Sequence, residues 1–236
     1  KKDILILGPY SDNHFHILND FILRIFLLDD KKIQKIYLPI SCKQYIKSLK
    51  LDKNLKFKFF FLKNNRNYQF YNAQYLTHLE SRIKNNSYIS CVKKLQKIVK
   101  IKKSKKKFNI LVSRENNSRK IINEKNLFKE LINKKFIKLN FEKLILNKQI
   151  FYFFNSNFII GYHGSGIMNP ILFNNNQTKI IEILHNDYNH KMYQKITSFL
   201  GVKYKSFICH GVSKNLDCFC NVREIINYLD NNFRLN

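Results

Sequence analysis

Short apolar runs alternate with amphipathic stretches along the second half of the chain, and this order constrains the fold more than any other feature. Short apolar runs predict buried strands, and apolar residues at helical spacing predict helices between them. Strands that alternate with helices are typical of a parallel, doubly wound α/β sheet. The predicted strands span residues 108–113, 136–139, 158–160, 179–184 and 204–208, and the predicted helices span residues 124–131, 149–155, 167–173, 188–200 and 222–231.

The first half shows a smaller version of the same order. Apolar runs predict strands over residues 3–7, 36–38 and 57–62. A helix is predicted after Asp12, because apolar residues then recur at helical spacing. A further helix is predicted over residues 75–100.

A lysine-rich stretch separates the two halves. Nine of the fifteen residues from Lys93 to Lys107 are lysine. A run of like charges is typical of a solvated helix end or a linker. We therefore predict two α/β domains, residues 1–105 and residues 106–236, of which the first is reduced.

The net charge of +27 is the other prominent feature, and it indicates nucleic acid or an anionic surface as a partner. Composition favours another explanation of the charge, a bias of the coding sequence. The chain has 36 Lys, 31 Asn and 31 Ile but a single alanine. An A/T-rich coding sequence favours Lys, Asn and Ile and disfavours alanine. Only seven of the 43 basic residues are arginine, whose planar fork binds phosphates bidentately. Nucleic-acid binding remains the alternative.

Several classes of protein are excluded by composition. With 44% hydrophobic residues the chain can bury a core, so it is not disordered. No apolar run approaches the roughly 20 residues of a membrane span, and no secretory signal is visible. The five cysteines are scattered and have no usual zinc spacing. We expect a cytoplasmic protein with reduced thiols, whose lysine excess fits peripheral contact with an anionic inner membrane face.

Half of the six glycines lie in one loop, between a predicted strand and a predicted helix. The loop reads Gly161-Tyr-His163-Gly164-Ser165-Gly166. Ligands of open α/β sheets bind at the carboxyl ends of strands, where a following helix offers amide groups to an anion. The spacing matches neither a dinucleotide fingerprint nor a P-loop. The loop predicts a phosphate site that includes His163, or else a tight turn that needs glycine for its geometry alone.

Two arginines and two other polar residues lie near the same predicted edge. Ser113 and Arg114 end the first strand of the second half, and Arg119 follows. Arginine in a lysine-dominated chain indicates a need for the guanidinium fork, for instance on a diphosphate. The alternative is a surface ion pair with Glu115 or Glu124. Glu182, in an otherwise apolar strand, predicts a ribose contact or a solvent-facing position on an edge strand.

Several motifs occur in an order that is more specific than any one of them. In chain order they are Phe15-His16-x-x-x-Asp20-x-x-x-Arg24, Ser113-Arg114, Arg119-x-Ile121-x-Asn123-Glu124, Gln149, Gly161-x-His163-Gly164-x-Gly166-Ile167-x-Asn169, Phe173 and Ile181-Glu182-Ile183. Together they resemble the catalytic domain of glycosyltransferase family 61. The departures are modest: Ser165 stands where the family usually has alanine, and residues 34–107 match little.

The resemblance implies two facing Rossmann-like domains in the GT-B arrangement, the first on the acceptor side and the second binding a nucleotide sugar. It implies transfer of a hexosyl or pentosyl group with inversion, and no cofactor or metal ion. The expected partners are a nucleotide sugar and a glycan, lipid-linked or protein acceptor in surface polysaccharide or glycoconjugate synthesis. An inactive nucleotide-binding homologue is the alternative. The residues expected to bind the donor are Ser113, Arg114, Arg119, His163, Gly164, Ser165, Gly166 and Glu182.

An inverting displacement also needs a base for the acceptor hydroxyl, and the first half offers a candidate. His16 and Asp20 are four residues apart and so share one face of the predicted helix. An aspartate beside a histidine can orient the ring and keep it basic. We predict His16 as the base or as a substrate-binding residue, with Asp20 as its partner. His14 is the rival, and the alternative is that Asn13 and both histidines only cap the helix.

Overall fold

The chain divides by its internal contacts into two compact units, Lys1–Ile101 and Lys102–Asn236. Each unit contains one sheet. The computed structural model describes residues 2–29, 31–76, 85–114, 119–175, 177–187, 191–212 and 215–232. Across these ranges, no helix is both long and apolar enough to cross a membrane.

The sheet of the first unit has four parallel strands in the order β3-β2-β1-β4. Buried Ile4 and Ile36 lie side by side on the face of this sheet that packs into the core. The strands are β1 (Lys2–Leu5), β2 (Ile33–Pro39), β3 (Lys58–Leu62) and β4 (Ala73–Tyr75).

A helical segment follows β1 and contains an unusual π-helical turn over Ile17–Ile22. Every residue of this turn is buried, including Asn19 and Asp20. Single π-turns are rare and recur at functional sites. The helices of this unit are α1 (His14–His16), α2 (Leu23–Ile25), α3 (Lys43–Ser48), α4 (Leu51–Asn54) and α5 (Asn85–Ile98).

The sheet of the second unit has six strands in the order β10-β9-β8-β7-β5-β6. All neighbours are parallel except β10, which is antiparallel to β9. Because β6 lies on one side of β5 and β7 on the other, the strand order reverses between β5 and β7. The strands are β5 (Phe108–Val112), β6 (Phe136–Leu139), β7 (Ser156–Tyr162), β8 (Lys179–His185), β9 (Lys203–Gly211) and β10 (Cys218–Phe219).

Apolar side chains cover both faces of this second sheet. One cluster joins Leu111 to Leu127 and Ile225, and another joins Ile110 to Phe153. These contacts place helices on opposite faces of the sheet, as a doubly wound fold requires. The helices are α6 (Glu124–Ile132), α7 (Leu146–Phe154), α8 (Ser165–Leu172), α9 (Met192–Phe199) and α10 (Val222–Asn232).

The structure confirms the predicted α/β class and corrects two details. The helix predicted from residue 75 was wrong at its start, because Tyr75 ends strand β4, and the described part of α5 begins at Asn85. The sequence also predicts only parallel strands, whereas β10 closes the edge of its sheet in the antiparallel direction. The helix predicted from Tyr188 starts outside the described residues, and its described part begins at Met192. All five cysteines are free and buried.

Candidate active site

The carboxyl ends of β5 and β7 adjoin where the strand order of the second sheet reverses. Val112 pairs with Gly161 there. A Cβ on Gly161 would lie 2.9 Å from the Cβ of Val112 and 3.2 Å from Cδ1 of Ile167. Glycine at this position therefore lets the two strands and α8 approach closely. Ligands of doubly wound sheets bind at such a reversal, so this edge is the first candidate site.

Arg114 lies across the glycine loop. Its Nη1 donates a hydrogen bond to the carbonyl oxygen of His163 at 3.2 Å. A Cβ on Gly164 would lie only 1.9 Å from that Nη1. Glycine at position 164 is thus needed for the observed position of the guanidinium, and not only for the turn.

Two positive charges come together at this edge. Burial lowers the pKa of Arg114, Glu142 opposes that shift, and the charge of Arg119 lowers the pKa further. The electrostatic effect of Arg119 means that the two guanidinium groups repel one another. A bound anion would relieve this repulsion, and a diphosphate offers oxygens that suit the arginine fork.

Hydrogen bonds from the loop before β10 fix the backbone near Arg119. Arg119 itself has a φ of 63°, in the left-handed region that few residues with a side chain adopt. The amide of Lys120 donates to Asp217 at 2.9 Å, and the Tyr162 hydroxyl donates to the carbonyl of Leu216 at 2.6 Å. These contacts connect the loop after β5 to the end of β7.

Ser113 and Glu124 form a buried contact beneath the arginines. The Ser113 hydroxyl donates to Oε1 of Glu124 at 2.6 Å, and the same oxygen lies 3.7 Å from Nζ of Lys138. This bond joins the end of β5 to the start of α6. Ser113 thereby supports the loop that carries Arg114. Glu115, the other ion-pair partner considered from the sequence, lies outside the described residues.

Helix α8 begins at Ser165, directly after Gly164. The amide groups of its first turn and the positive end of its dipole lie at the carboxyl edge of the sheet, where they suit an anion. Within the described ranges of the chain, no group of three or more His, Cys, Asp or Glu side chains is placed to hold a metal ion.

The imidazole of His163 belongs to a buried hydrogen-bonded chain. Its Nδ1–H donates to Oε1 of Glu182 at 2.5 Å, and the hydroxyl of Tyr204 donates to Oε2 of Glu182. The side chains of His163 and Glu182 are only 5% and 0% exposed. Burial and the negative charge of Glu182 raise the pKa of Tyr204. The ring of Tyr193 stacks on His163 with a centroid distance of 4.6 Å.

This arrangement corrects the role expected for Glu182. Both of its carboxylate oxygens accept hydrogen bonds from protein groups, and neither is exposed, so none is presented to a ribose. The edge-strand alternative is also wrong, because β8 lies between β7 and β9. Glu182 therefore orients His163 and anchors the base of the glycine loop.

A second histidine–carboxylate pair lies in the first unit. His16 Nδ1–H donates to Oδ2 of Asp20 at 2.5 Å, and the two side chains are 27% and 12% exposed. The ring of Tyr10 stacks on His16 with a centroid distance of 4.9 Å. Asn13 does cap the helix, since its side chain accepts from the amide of Phe15, but His16 makes no such contact. The predicted spacing of His16 and Asp20 thus yields a real contact.

The rival histidine has another partner. His14 Nδ1 forms a hydrogen bond with the hydroxyl of Tyr45, a buried side chain of α3. Burial raises the pKa of Tyr45 to about 12. The hydrogen-bond partner seen for His14 is thus a hydroxyl, whereas that of His16 is a carboxylate, which can orient the ring.

A fully buried arginine holds the backbone behind His16. Arg24 donates through Nε to the carbonyl of Asp20, through Nη1 to that of Leu76 at 2.6 Å, and through Nη2 to that of Leu7 at 2.9 Å. Leu7 follows β1 and Leu76 follows β4, so one side chain joins the π-helical turn to two strand ends. Burial lowers the pKa of this guanidinium.

The chain was compared with known protein families. The family model of glycosyltransferase 61 matches residues 14–181. The chain belongs to glycosyltransferase family 61. A search of curated proteins finds no match. The family match includes the His16–Asp20 pair, both arginines and the glycine loop, and it ends one residue before Glu182.

Two other residues of the family 61 motifs have a structural role here. Asn123 both donates to and accepts from the backbone of Cys220, at 2.9 and 3.0 Å, which joins α6 to β10. Gln149 donates to the carbonyls of Phe141 and Leu144 at 2.9 and 2.8 Å. Both side chains stabilise the scaffold below the candidate site.

The residues behind the two histidines were not predicted from the sequence. Tyr204 and Tyr193 contact the His163–Glu182 pair, and Tyr88 and Asn19 extend the His16–Asp20 pair. Asn19 adjoins Asp20 in the sequence and so carried a signal. The tyrosines lie far from the histidines in the sequence, so no local pattern reveals these contacts.

Proposed function

We propose that this family 61 glycosyltransferase moves a hexosyl or pentosyl group from a nucleotide sugar to a glycan, lipid-linked or protein acceptor, with inversion and without a metal ion. The observation that carries the proposal is the Arg114 guanidinium, which donates to the glycine loop at the carboxyl ends of β5 and β7. The proposal includes the GT-B arrangement that the family resemblance implies, and a role in surface polysaccharide or glycoconjugate synthesis.

In this proposal the second unit binds the donor. Arg114, Arg119 and the amide groups of Gly164, Ser165 and Gly166 hold the diphosphate, and His163 and Ser113 keep the loops in place. As the bond between sugar and phosphate breaks, negative charge grows on the leaving nucleoside diphosphate. Fixed cationic and amide donors stabilise that charge more in the transition state than in the ground state. This is the task that a divalent ion performs in metal-dependent enzymes.

In the same proposal His16 acts as the base. Asp20 accepts a hydrogen bond from the Nδ1–H of His16, so Nε2 is the ring atom that takes the proton of the acceptor hydroxyl. The acceptor oxygen forms a bond to the anomeric carbon while the bond to the phosphate oxygen breaks on the opposite face. The products are the glycosylated acceptor, the nucleoside diphosphate and a protonated His16.

The decisive experiment measures donor binding by calorimetry and donor hydrolysis across uridine, guanosine, cytidine and thymidine diphosphate sugars. In Gly164→Ala the new methyl group must displace the Arg114 guanidinium. A charge-assisted hydrogen bond contributes about 1.5–3 kcal/mol, so affinity for the best nucleotide should fall roughly 10-fold to 100-fold. Gly201→Ala is the control, because Gly201 lies in the turn between α9 and β9, outside the proposed diphosphate site, and a Cβ there would meet nothing within 4 Å. Equal affinity in wild type and Gly164→Ala would refute the diphosphate site.

The net charge of +27 favours a second candidate function, binding to nucleic acid. That function predicts DNA or RNA binding that weakens steeply as salt is added, together with no response to any nucleotide sugar. The charge also supports peripheral contact with anionic membranes. Sedimentation with anionic vesicles at low and high salt tests this contact, and no binding at low salt would dismiss it.

A further inference from the structure

Behind His16 lies a continuous chain of hydrogen bonds through four side chains. The Tyr88 hydroxyl donates to Oδ1 of Asn19 at 2.7 Å, and Nδ2 of Asn19 donates to Oδ1 of Asp20 at 2.9 Å. The other oxygen of Asp20 accepts from His16. We propose that Tyr88 and Asn19 are positioning residues, which orient Asp20 and thereby fix the tautomer of His16. The inference rests on the proposed role of His16 as the base.

The direction of each hydrogen bond is fixed by chemistry. An amide has one accepting oxygen and one donating nitrogen, so an Asn19 that accepts from Tyr88 must donate to Asp20. A flipped amide would direct its oxygen at a carboxylate oxygen, which is repulsive. Asp20 then accepts at both oxygens, from Asn19 at Oδ1 and from the Nδ1–H of His16 at Oδ2. The chain thus leaves Nε2 as the atom for acid–base chemistry.

Burial is graded along this chain. Tyr88 and Asn19 are 6% and 4% exposed, whereas the His16 side chain is 27% exposed. Buried polar groups cost free energy unless all of their hydrogen bonds are made, and here the network ends at the one ring that solvent or a substrate can reach. This arrangement is expected where buried side chains orient a side chain that a substrate can reach.

The backbone at Asp20 is held independently of its side chain. Arg24 binds the carbonyl of Asp20 and also the carbonyls of Leu7 and Leu76. Removal of the Tyr88 hydroxyl should therefore loosen the Asp20 carboxylate without moving the helix. This separation lets a change in side-chain orientation be measured in a folded protein.

Tyr45 provides a matched control for Tyr88. Both tyrosines belong to the first unit, and they are 5% and 6% exposed. The Tyr45 hydroxyl bonds to His14, whereas that of Tyr88 bonds to Asn19. Tyr45→Phe and Tyr88→Phe remove the same atom from sites of the same burial, and only the second change touches the chain that leads to His16.

The test records the ring nitrogen resonances of His16 by ¹⁵N NMR in the ligand-free protein, with transfer measured in parallel. In Tyr88→Phe we expect the share of the Nδ1–H tautomer to fall and kcat to drop about threefold to tenfold, the value of one hydrogen bond, with unchanged nucleotide affinity. Tyr45→Phe should move the signals of His14 alone. Wild-type His16 signals in Tyr88→Phe would overturn the inference.

Asn19→Asp is the second variant, and it keeps the shape and the bond to Tyr88 while it places a second carboxylate against Asp20. Its effect on the His16 signals should exceed that of Tyr88→Phe, and an unchanged tautomer would equally overturn the inference. The assignment of His16 as the base fails separately, if His16→Ala transfers sugar at the wild-type rate. In that case the NMR result still decides whether Tyr88 and Asn19 orient the ring.

Discussion

The two units contain the same small motif in two different settings. In each, a histidine donates Nδ1–H to a carboxylate at 2.5 Å, a tyrosine ring stacks on the histidine, and the second carboxylate oxygen accepts from another side chain. The His16 pair is partly exposed, whereas the His163 pair is buried. The geometry of the contacts therefore does not distinguish the two pairs, whereas their exposure to solvent does. We infer that the first pair performs chemistry and that the second holds a loop.

The largest expected effect is on the exposed pair. His16→Ala removes the proposed base, and general base catalysis contributes roughly 10²-fold to 10⁴-fold, so transfer should fall by that factor. Nucleotide affinity should stay at the wild-type value, because the proposed diphosphate site lies on other elements. Rates of sugar transfer and calorimetric titration with the nucleotide measure the two quantities. Transfer near the wild-type rate would show that the base assignment is wrong.

Conservative changes to the two carboxylates should affect different properties, stability for Glu182 and the rate of transfer for Asp20. Glu182→Gln leaves a buried histidine and a buried hydroxyl without their charged acceptor, so the free energy of unfolding should fall by about 2–4 kcal/mol. Asp20→Asn should cost less than 1.5 kcal/mol of stability because its pair is partly solvated, yet slow transfer about 100-fold. Urea denaturation and transfer rates test both variants. Equal losses of stability would remove the distinction between the pairs.

The smallest effect is on stability at alkaline pH. Burial raises the pKa of Tyr45 to about 12, while a tyrosine in the unfolded chain ionises near pH 10. Between pH 10 and 12 the folded state holds a proton that the unfolded state has lost, so stability falls as pH rises, by up to about 1.4 kcal/mol per pH unit. Tyr45→Phe should flatten this slope in denaturation curves. Tyr204→Phe should flatten it too, since the pKa of Tyr204 is also raised.

Much of the fold follows from local pattern, because β5, β7 and β8 are rich in consecutive apolar residues. The two short strands β4 and β10 were not predicted. They span three and two residues, and their pairing depends on neighbours far along the chain. Tyr75 illustrates the difficulty. Its sequence context resembles the start of a helix, but Tyr75 pairs with Leu5 of β1 as part of a strand.

The candidate sites show the same division. The spacing of His16 and Asp20 was visible because both residues lie on one helical segment. The position of Gly164 was visible too, although its contact with Arg114 was not, since these residues are fifty apart. Glu182 was correctly placed facing inward, but the sequence could not show that His163 and Tyr204 already bind both of its oxygens.

Arg24 has a thermodynamic consequence for any ligand that binds beside His16. Its three hydrogen bonds join segments that would otherwise be independent loops, so their conformational entropy is lost when the chain folds. Binding then has little ordering left to do, and preorganised sites gain affinity by avoiding that cost. Binding beside His16 should accordingly carry a small entropic penalty, set by the ligand rather than by the protein.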